Sequence, residues 1–193
     1  ITRKYSRGSS SNNHLIGEAA GVYVATSYFT GLDNATRWRH ESRRIVAEEI
    51  LKQSHPDGGT REQALGYELF VLQFFAVVAL VARRVGDDLP AAYWERLARM
   101  LEFLRAMSDG TWPLPMFGDC DDGYVLDLGG PERDFTEWLA AGALLLDRPD
   151  LAQNVGAGGW IVMNTRLAPE AWRARFDGFK AAAIDANALA IEH

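Results

Sequence analysis

Two kinds of helical pattern alternate along the first half of the chain. Residues 14–29 and 60–84 are apolar on most sides, which predicts two helices that neighbours cover over most of their surface. Residues 35–53 and 91–107 carry apolar side chains on one side and charged side chains elsewhere, which predicts two amphipathic outer helices. Buried and amphipathic helices that alternate across short turns are typical of antiparallel helix hairpins. We therefore predict an all-α fold.

Polar turns mark the ends of these helices. Residues 55–59 read His-Pro-Asp-Gly-Gly, in which proline fixes one backbone dihedral and the glycines are free to take a positive φ. Thr60 followed by Gln63 fits a capping box, in which the two side chains satisfy the first backbone N–H groups of a helix. The second apolar helix is therefore predicted to begin near Thr60.

The pattern weakens in the second half of the chain. Residues 108–133 are rich in glycine, proline and acidic residues and predict a long, ordered and functional loop. Residues 134–146 predict a short helix, and residues 156–159 a flexible joint. Residues 160–164 fit either a short strand or a turn, and residues 169–179 and 181–191 predict terminal helices.

Composition limits the class of protein. A chain of 193 residues with 48% apolar content is sufficient for one well-packed domain. The single cysteine, Cys120, excludes an internal disulfide framework and a cysteine-rich metal site. The net charge of -6 argues against a general nucleic-acid or membrane-surface binder, and no apolar run has membrane-spanning length. The chain lacks an obvious start signal, so we expect it to be part of a longer protein.

Positive charge is nevertheless concentrated locally. Basic residues cluster from Arg37 to Arg44, and others occur at Arg61 and at Arg83 and Arg84. Such clusters are usually a solvated helix face, and the alternative is that one of them binds an anionic ligand.

A polar run precedes the first apolar helix. Residues 9–14 read Ser-Ser-Ser-Asn-Asn-His and are followed directly by Leu15 and Ile16. One Ser or Asn is enough to cap a helix, so the surplus amides and the imidazole of His14 are candidates for binding or attacking a ligand. Glu18 lies one helical turn after His14, close enough to orient its ring. The alternative is an ordinary polar loop in front of a helix.

Common catalytic and metal-binding motifs are missing from the sequence. Residues 119–123 are similar to a calcium-binding loop, but Gly123 stands where that pattern needs a carboxylate or amide. His14 and Glu18 have no third and fourth ligand partner at a recognisable spacing, so no metal site is predicted. No glycine-rich phosphate loop, nucleophile elbow or H-E-x-x-H sequence is present.

Three stretches together resemble the heparinase II/III family of polysaccharide lyases. They are SNNHLIGEAAG at residues 11–21, QALGY at residues 63–67 and PMFGDCDDG at residues 115–123. The first is quite specific, the third moderately so, and their order and spacing match the family over residues 9–147. The resemblance implies an incomplete (α/α) toroid of antiparallel helix hairpins. It also implies that a C-terminal β-sandwich of the full-length protein is absent from this chain, which would form a single toroid-type domain over residues 1–193.

The resemblance also implies a reaction and a set of site residues. Related enzymes cleave uronic-acid-containing polysaccharides by β-elimination. Asn13, with Asn12 as the second choice, matches the asparagine that binds the substrate carboxylate. Tyr67 matches the tyrosine that serves as acid and often also as base, and His14 could be a second base. The expected substrate-binding residues are Asn12, Gln63, Arg61, Trp112 and Asp119.

A tyrosine acts as a base only if positive charge lowers its pKa from about 10. Arg61 and the Arg37 to Arg44 cluster are the candidates for supplying that charge. No cofactor is expected, the partner would be an acidic polysaccharide or oligosaccharide, and neither nucleic acid nor a membrane is expected to bind. The parent protein would be bacterial and periplasmic or secreted, although a cytoplasmic location is compatible with one free cysteine.

Two other functions remain open at this point. One is a carbohydrate-binding or exopolysaccharide-assembly relative without activity, in which Trp38 and Trp112 line the same cleft. The other is a glycoside hydrolase, which needs two carboxylates across a cleft. Asp119, Asp121 or Asp122 opposite Glu18 or Glu68 is the only such pairing that the sequence offers.

Overall fold

The computed structural model describes residues 4–8, 11–108, 114–115, 117–119, 123–126 and 135–152. These residues form five α-helices: α1 Asn13–Tyr28, α2 Ala35–Gln53, α3 Leu65–Val85, α4 Ala91–Ser108 and α5 Thr136–Leu146. A 3-10 helix, Pro149–Ala152, follows α5. Within this part of the chain the only strand-like pairing is an isolated bridge between Ser54 and Thr60. The described structure is therefore all-helical, as the sequence predicts, and the elements expected between residues 156 and 191 lie outside it.

The chain divides into two compact units. The first comprises Ile1–Met100 with Phe117–Val125, and the second comprises Leu101–Met116 with Leu126–His193. Helix α4 belongs to both, because its residues up to Met100 lie in the first unit and those from Leu101 in the second.

Helices α1 and α2 form an antiparallel hairpin. Gln53, the last residue of α2, donates from Nε2 to the carbonyl of Ser11, just before α1 begins, at 2.6 Å. Ile45, Val46 and Ile50 on the hydrophobic side of α2 are buried. Charged residues lie between them in the sequence, as expected of an amphipathic helix.

Helices α1 and α3 run in the same direction. Asn12 contacts Glu62 at one end, Gly17 lies against the ring of Phe74 in the middle, and Tyr23 donates to Asp87 at 3.1 Å at the other end. A Cβ atom on Gly17 would lie 3.0 Å from Phe74 Cζ, so glycine allows the two helices to approach closely there. The first residues of α1 and of α3 therefore lie at the same end of the first unit.

The start of α3 differs from the prediction. The helix begins at Leu65, its N-cap is Ala64, and no side chain caps it. The backbone of Thr60 instead pairs with Ser54 and donates from N to Glu68 Oε2 at 2.5 Å, while Gln63 has a left-handed φ of 53°. The predicted capping box is wrong because Thr60 belongs to the hairpin before the helix and its N–H group is bound by the side chain of Glu68.

Helix α4 returns antiparallel to α3. Tyr93 donates from its hydroxyl to the carbonyl of Phe75 at 2.7 Å, and Arg83 lies 4.6 Å above the ring of Trp94. Gly58, in the turn before α3, packs closely against the backbone of Arg99 and has a φ of 104°. In the second unit, a Cβ on Gly142 of α5 would lie 2.5 Å from Leu101 Cδ1, so α5 packs closely on α4 there.

Helix α3 is long and apolar enough, at 21 residues and a mean hydropathy of 2.1, to cross a membrane by length and composition. The uninterrupted apolar run within α3 is shorter than a membrane span, so the length of that run alone did not predict a helix of this composition. A core helix has the same composition, and 67% of the apolar window of α3 is buried within the protein. Phe75, Val78, Ala79 and Leu72 are all fully buried, as expected of a core helix.

Candidate functional site

The entrance of α1 is held by residues from two other segments. Asn12 is the N-cap residue, yet its side chain makes no capping hydrogen bond. Its Nδ2 instead donates to Glu62 Oε1 at 2.7 Å, across 50 residues of sequence. Gln53 Nε2 binds the carbonyl of Ser11 and is itself bound to Glu49 Oε2 at 2.9 Å. Ser11 and Asn12 are therefore bonded to other segments of the chain, and the Asn12 side chain does not cap the helix.

Asn13 and His14 are the first two residues of α1. The Asn13 side chain is half-buried, and its Oδ1 atom is buried without a hydrogen-bond partner among the described residues. His14 is exposed. An amide and an imidazole are thus consecutive at the start of α1, the first half-buried and the second exposed to solvent.

Glu62 is a half-buried acid at this entrance. Burial raises the pKa of Glu62, whereas the hydrogen bond from Asn12 and the charge of His14 lower it. Glu62 Oε2 is buried and has no partner among the described residues.

The loop around Gly118 lies against the segment that precedes α3. Leu65 donates from N to the carbonyl of Phe117 at 3.0 Å, and a Cβ on Gly118 would lie 2.6 Å from the carbonyl oxygen of Gln63. Asp119 follows directly and is exposed, as is Gln63. Residues from the second and third family stretches are therefore neighbours in space.

Tyr67 lies in the first turn of α3 and is half-buried. It precedes Phe74 by two helical turns and therefore shares with Phe74 the side of α3 that faces α1. Measured from the Gly17 contact, Tyr67 lies about 10 Å toward the start of α3 and Asn13 about 6 Å toward the start of α1. The two residues thus lie at similar heights on facing sides of parallel helices.

The arginine cluster of α2 lies at the other end of the first unit. Arg43 Nε is 3.2 Å from Asp87 Oδ1, beyond the last residue of α3, and Arg44 pairs with Glu48. Asp87 is about 30 Å along α3 from Tyr67, which is too far for charge on Arg43 to affect its hydroxyl. Of the two sources of positive charge predicted for Tyr67, the distance therefore excludes Arg43, and Arg61, which is exposed and precedes Glu62, stays a prediction.

Two further expectations are corrected by the structure. Glu18 does not orient His14, because its two oxygens accept hydrogen bonds from N and Oγ of Ser6, at 2.7 and 2.6 Å. Glu68 is completely buried under the 55–60 turn and cannot face a cleft, so it is excluded as one carboxylate of a hydrolase pair. Trp112, Asp121, Asp122 and Cys120 lie outside the described residues.

Glu62 and Gln53 are not among the residues that the sequence pattern predicts for the site. Gln53 was assigned only to the end of an amphipathic helix, and Glu62 stands unremarked between Arg61 and Gln63. The only available signal was a lone acid in a polar turn before an apolar helix, which is common in proteins. Among residues that the structure describes, no group of three His, Cys, Asp or Glu side chains could hold a metal ion.

A shallow cavity of about 270 Å³ lies at the opposite end of α3, where Arg83, Asp87, Asp88 and Trp94 contribute to its lining. It is separated by the length of α3 from Asn13 and Tyr67, so it is not part of the candidate site.

Comparison with known proteins supports the family resemblance of the three sequence stretches. The family model described as Heparinase II/III N-terminus matches residues 1–139. A heparin-sulfate lyase of Bacteroides stercoris is 28% identical over 113 residues, which cover 58% of this chain and 17% of the relative. A heparin-sulfate lyase of Bacteroides thetaiotaomicron is 27% identical over 122 residues, covering 57% of this chain and 17% of the relative.

The chain thus spans about one sixth of the length of these curated relatives. No solved structure matches it. Because the family model covers most of the chain, including the entrance of α1 and the start of α3, the protein belongs to the heparinase II/III family through its N-terminal region.

Proposed function

We propose that this chain forms part of the catalytic helical toroid of a polysaccharide lyase that cleaves uronic-acid-containing polysaccharides by β-elimination. The observation that carries the proposal is the position of Asn13, His14 and Tyr67 at the paired first turns of α1 and α3. Membership of the heparinase II/III family and the two relatives named heparin-sulfate lyase support it.

The chemistry assigns a task to each of these residues. A base removes the proton on the carbon α to the uronate carboxylate, the electron pair forms a carbon–carbon double bond, and the bond from the β carbon to the glycosidic oxygen breaks. Negative charge builds up on the carboxylate during this step, so a hydrogen-bond donor must stabilise it. We assign that role to the amide of Asn13.

Tyr67 donates a proton to the leaving oxygen and can also act as the base, and His14 is the second candidate for the base. The Arg61 guanidinium supplies positive charge near the substrate carboxylate. Gln63 and Asp119 contact neighbouring sugar groups, together with Trp112. We further propose a toroid that extends beyond these five helices, a C-terminal β-sandwich elsewhere in the full-length protein, and a periplasmic or secreted location.

The test is an elimination assay on the full-length protein and on the 193-residue chain. Heparan sulfate, alginate and other acidic glycans serve as substrates, and the ultraviolet absorbance of the unsaturated uronate product is the readout. Tyr67→Phe keeps the ring and removes the proton donor, so product formation should fall at least about a hundredfold. Tyr28→Phe is the matched control, because Tyr28 is 57% exposed at the far end of α1, and it should keep wild-type activity.

Each outcome decides between specific alternatives. Product formation by the full-length protein but not by the 193-residue chain would indicate that residues outside this chain complete the site. Substrate binding without product, across the whole panel, would reject the lyase function in favour of the carbohydrate-binding relative. Full activity in Tyr67→Phe would reject the role of Tyr67.

A further inference from the structure

The side chain of Asn12 is used in an unusual way. An asparagine at an N-cap normally accepts a hydrogen bond from the first turn of its helix, which stabilises that helix. Asn12 makes no such bond and donates instead to Glu62 Oε1 at 2.7 Å. The Asn12 side chain therefore bonds the segment that leads into α3 and does not cap the first turn of α1.

The contact of Glu62 also lowers folding stability locally. Its carboxyl group is half-buried, and its second oxygen has no hydrogen-bond partner among the described residues. Burial of a carboxylate oxygen without a partner destabilises a fold. The neighbouring Gln63 also has a left-handed backbone, with a φ of 53°, which a residue with a Cβ atom adopts at some cost. Stability alone does not explain this arrangement.

From this contact we infer that Glu62 is a positioning residue of the site, which holds the Asn12 amide and so fixes Asn13 and His14 relative to Tyr67. The inference rests on the proposed lyase function. Glu62 is suited to the role because it joins the two segments that carry these residues: Asn12 directly precedes Asn13 and His14, and Glu62 precedes Tyr67 by five positions. No other hydrogen bond among the described residues links the 61–64 segment to the entrance of α1.

The test compares Glu62→Ala, Glu62→Gln and Asn12→Ala in the full-length protein. A misplaced reacting group lowers the rate of the chemical step more than it weakens binding. Glu62→Ala and Asn12→Ala should each lower kcat by roughly ten- to a hundredfold and change KM by less than about threefold. Glu62→Gln keeps an oxygen that can accept from Asn12 Nδ2, so it should restore most of kcat.

Additivity and folding provide the controls. The double variant should be no slower than Glu62→Ala alone, because both changes remove the same hydrogen bond. Glu48→Ala is the matched control, since Glu48 lies on α2 and pairs with Arg44 and Lys52, outside the site. Thermal unfolding of each variant separates lost positioning from lost structure. If Glu62→Ala does not fold, Glu62→Gln and Asn12→Ala still test the contact.

Three results would overturn the inference, and they differ in what they reject. An active wild type whose Glu62→Ala and Asn12→Ala variants keep kcat within about twofold rejects the positioning role alone. So does a defect confined to KM. A wild type that forms no product from any substrate rejects the lyase function, and the role of Glu62 with it.

Discussion

Glu68 shows how burial changes the chemistry of a single residue. Burial raises the pKa of Glu68 to about 8; the hydrogen bond from the Thr60 backbone opposes this shift, and the charge of Asp57 adds to it. The folded protein therefore holds this carboxyl group protonated at pH values where an unfolded chain, with a pKa near 4.5, would release the proton. Folding and proton binding are linked at this position.

We expect Glu68→Gln to reduce the loss of stability at alkaline pH. The contribution of Glu68 to stability is fully present below about pH 4.5 and decreases as the pH rises through about 8, because the folded state binds more protons in that window. Glutamine cannot ionise and keeps an oxygen for the Thr60 N–H group. Thermal unfolding between about pH 5 and about pH 9 should show a smaller fall in Tm for Glu68→Gln than for wild type.

Glu48→Gln is the control for this experiment. Hydrogen bonds from Arg44 and Lys52 lower the pKa of Glu48, so its titration lies below the window in which Glu68 acts. An equal fall in Tm for wild type and Glu68→Gln would contradict the assignment.

At the same scale, residues differ in whether the sequence could nominate them. Asn13, His14 and Tyr67 fall in family stretches, and they stay predicted site residues that the structure places at the first turns of two parallel helices. Glu62 could not be nominated, because its proposed role depends on a contact across 50 residues of sequence. The arginines of α2 were nominated for their charge alone, and sequence does not show at which end of a hairpin a charge lies.

At the scale of elements, the 54–60 hairpin determines where α3 begins. The bond from Arg61 N to the carbonyl of Gln53, at 2.9 Å, and that from His55 N to the carbonyl of Gly59, at 2.8 Å, close the turn. Arg96 Nη1 of α4 donates to the carbonyl of Ser54 at 2.8 Å. Helix periodicity predicted α2 and α4 almost to the residue, but it could not predict this hairpin, since its two pairing residues lie outside any repeating pattern.

Gly58→Ala should destabilise the protein. A Cβ atom at residue 58 would collide with the carbonyl of Arg99, and the φ of 104° is strained for any residue with a Cβ atom. We expect a loss of about 2 to 4 kcal/mol in the free energy of unfolding, measured by urea denaturation.

Gly21→Ala provides the matched control. Gly21 lies within α1, is exposed, and has no atom within 4 Å of its added Cβ. Alanine should stabilise the helix there by about 0.5 to 1 kcal/mol. If Gly58→Ala and Gly21→Ala changed the free energy of unfolding equally, the turn would not be in close contact with α4.

At the scale of the whole molecule, net charge and proposed substrate have the same sign. The chain carries a net charge of -6, and a polyanion would be repelled unless positive charge is concentrated at the site. Arg61 is the exposed arginine beside Glu62, whereas Arg43 and Arg44 form ion pairs elsewhere. If the proposed acidic glycan is the substrate, its attraction to the site therefore depends on local rather than net charge.

Arg61→Ala should raise KM for an acidic polysaccharide by several-fold at low salt. It should also flatten the rise of KM with ionic strength, because one charge contact with the polyanion is removed. Steady-state kinetics on the full-length protein at two salt concentrations measures both effects. Arg44→Ala, an exposed arginine paired with Glu48, should leave both unchanged. An unaltered salt dependence in Arg61→Ala would exclude it as a substrate contact.

The parallel course of α1 and α3 has an electrostatic consequence. Each helix carries a macrodipole with roughly half a positive charge at its first turn, and neither first turn is capped by a side chain. Helix α2 ends at the same place with its negative pole, and Lys52 in its last turn is paired with Glu48 and Glu49. Two positive first turns against one negative last turn give the backbone a net positive contribution to the potential beside Asn13, which the Glu62 carboxyl group opposes when it is ionised.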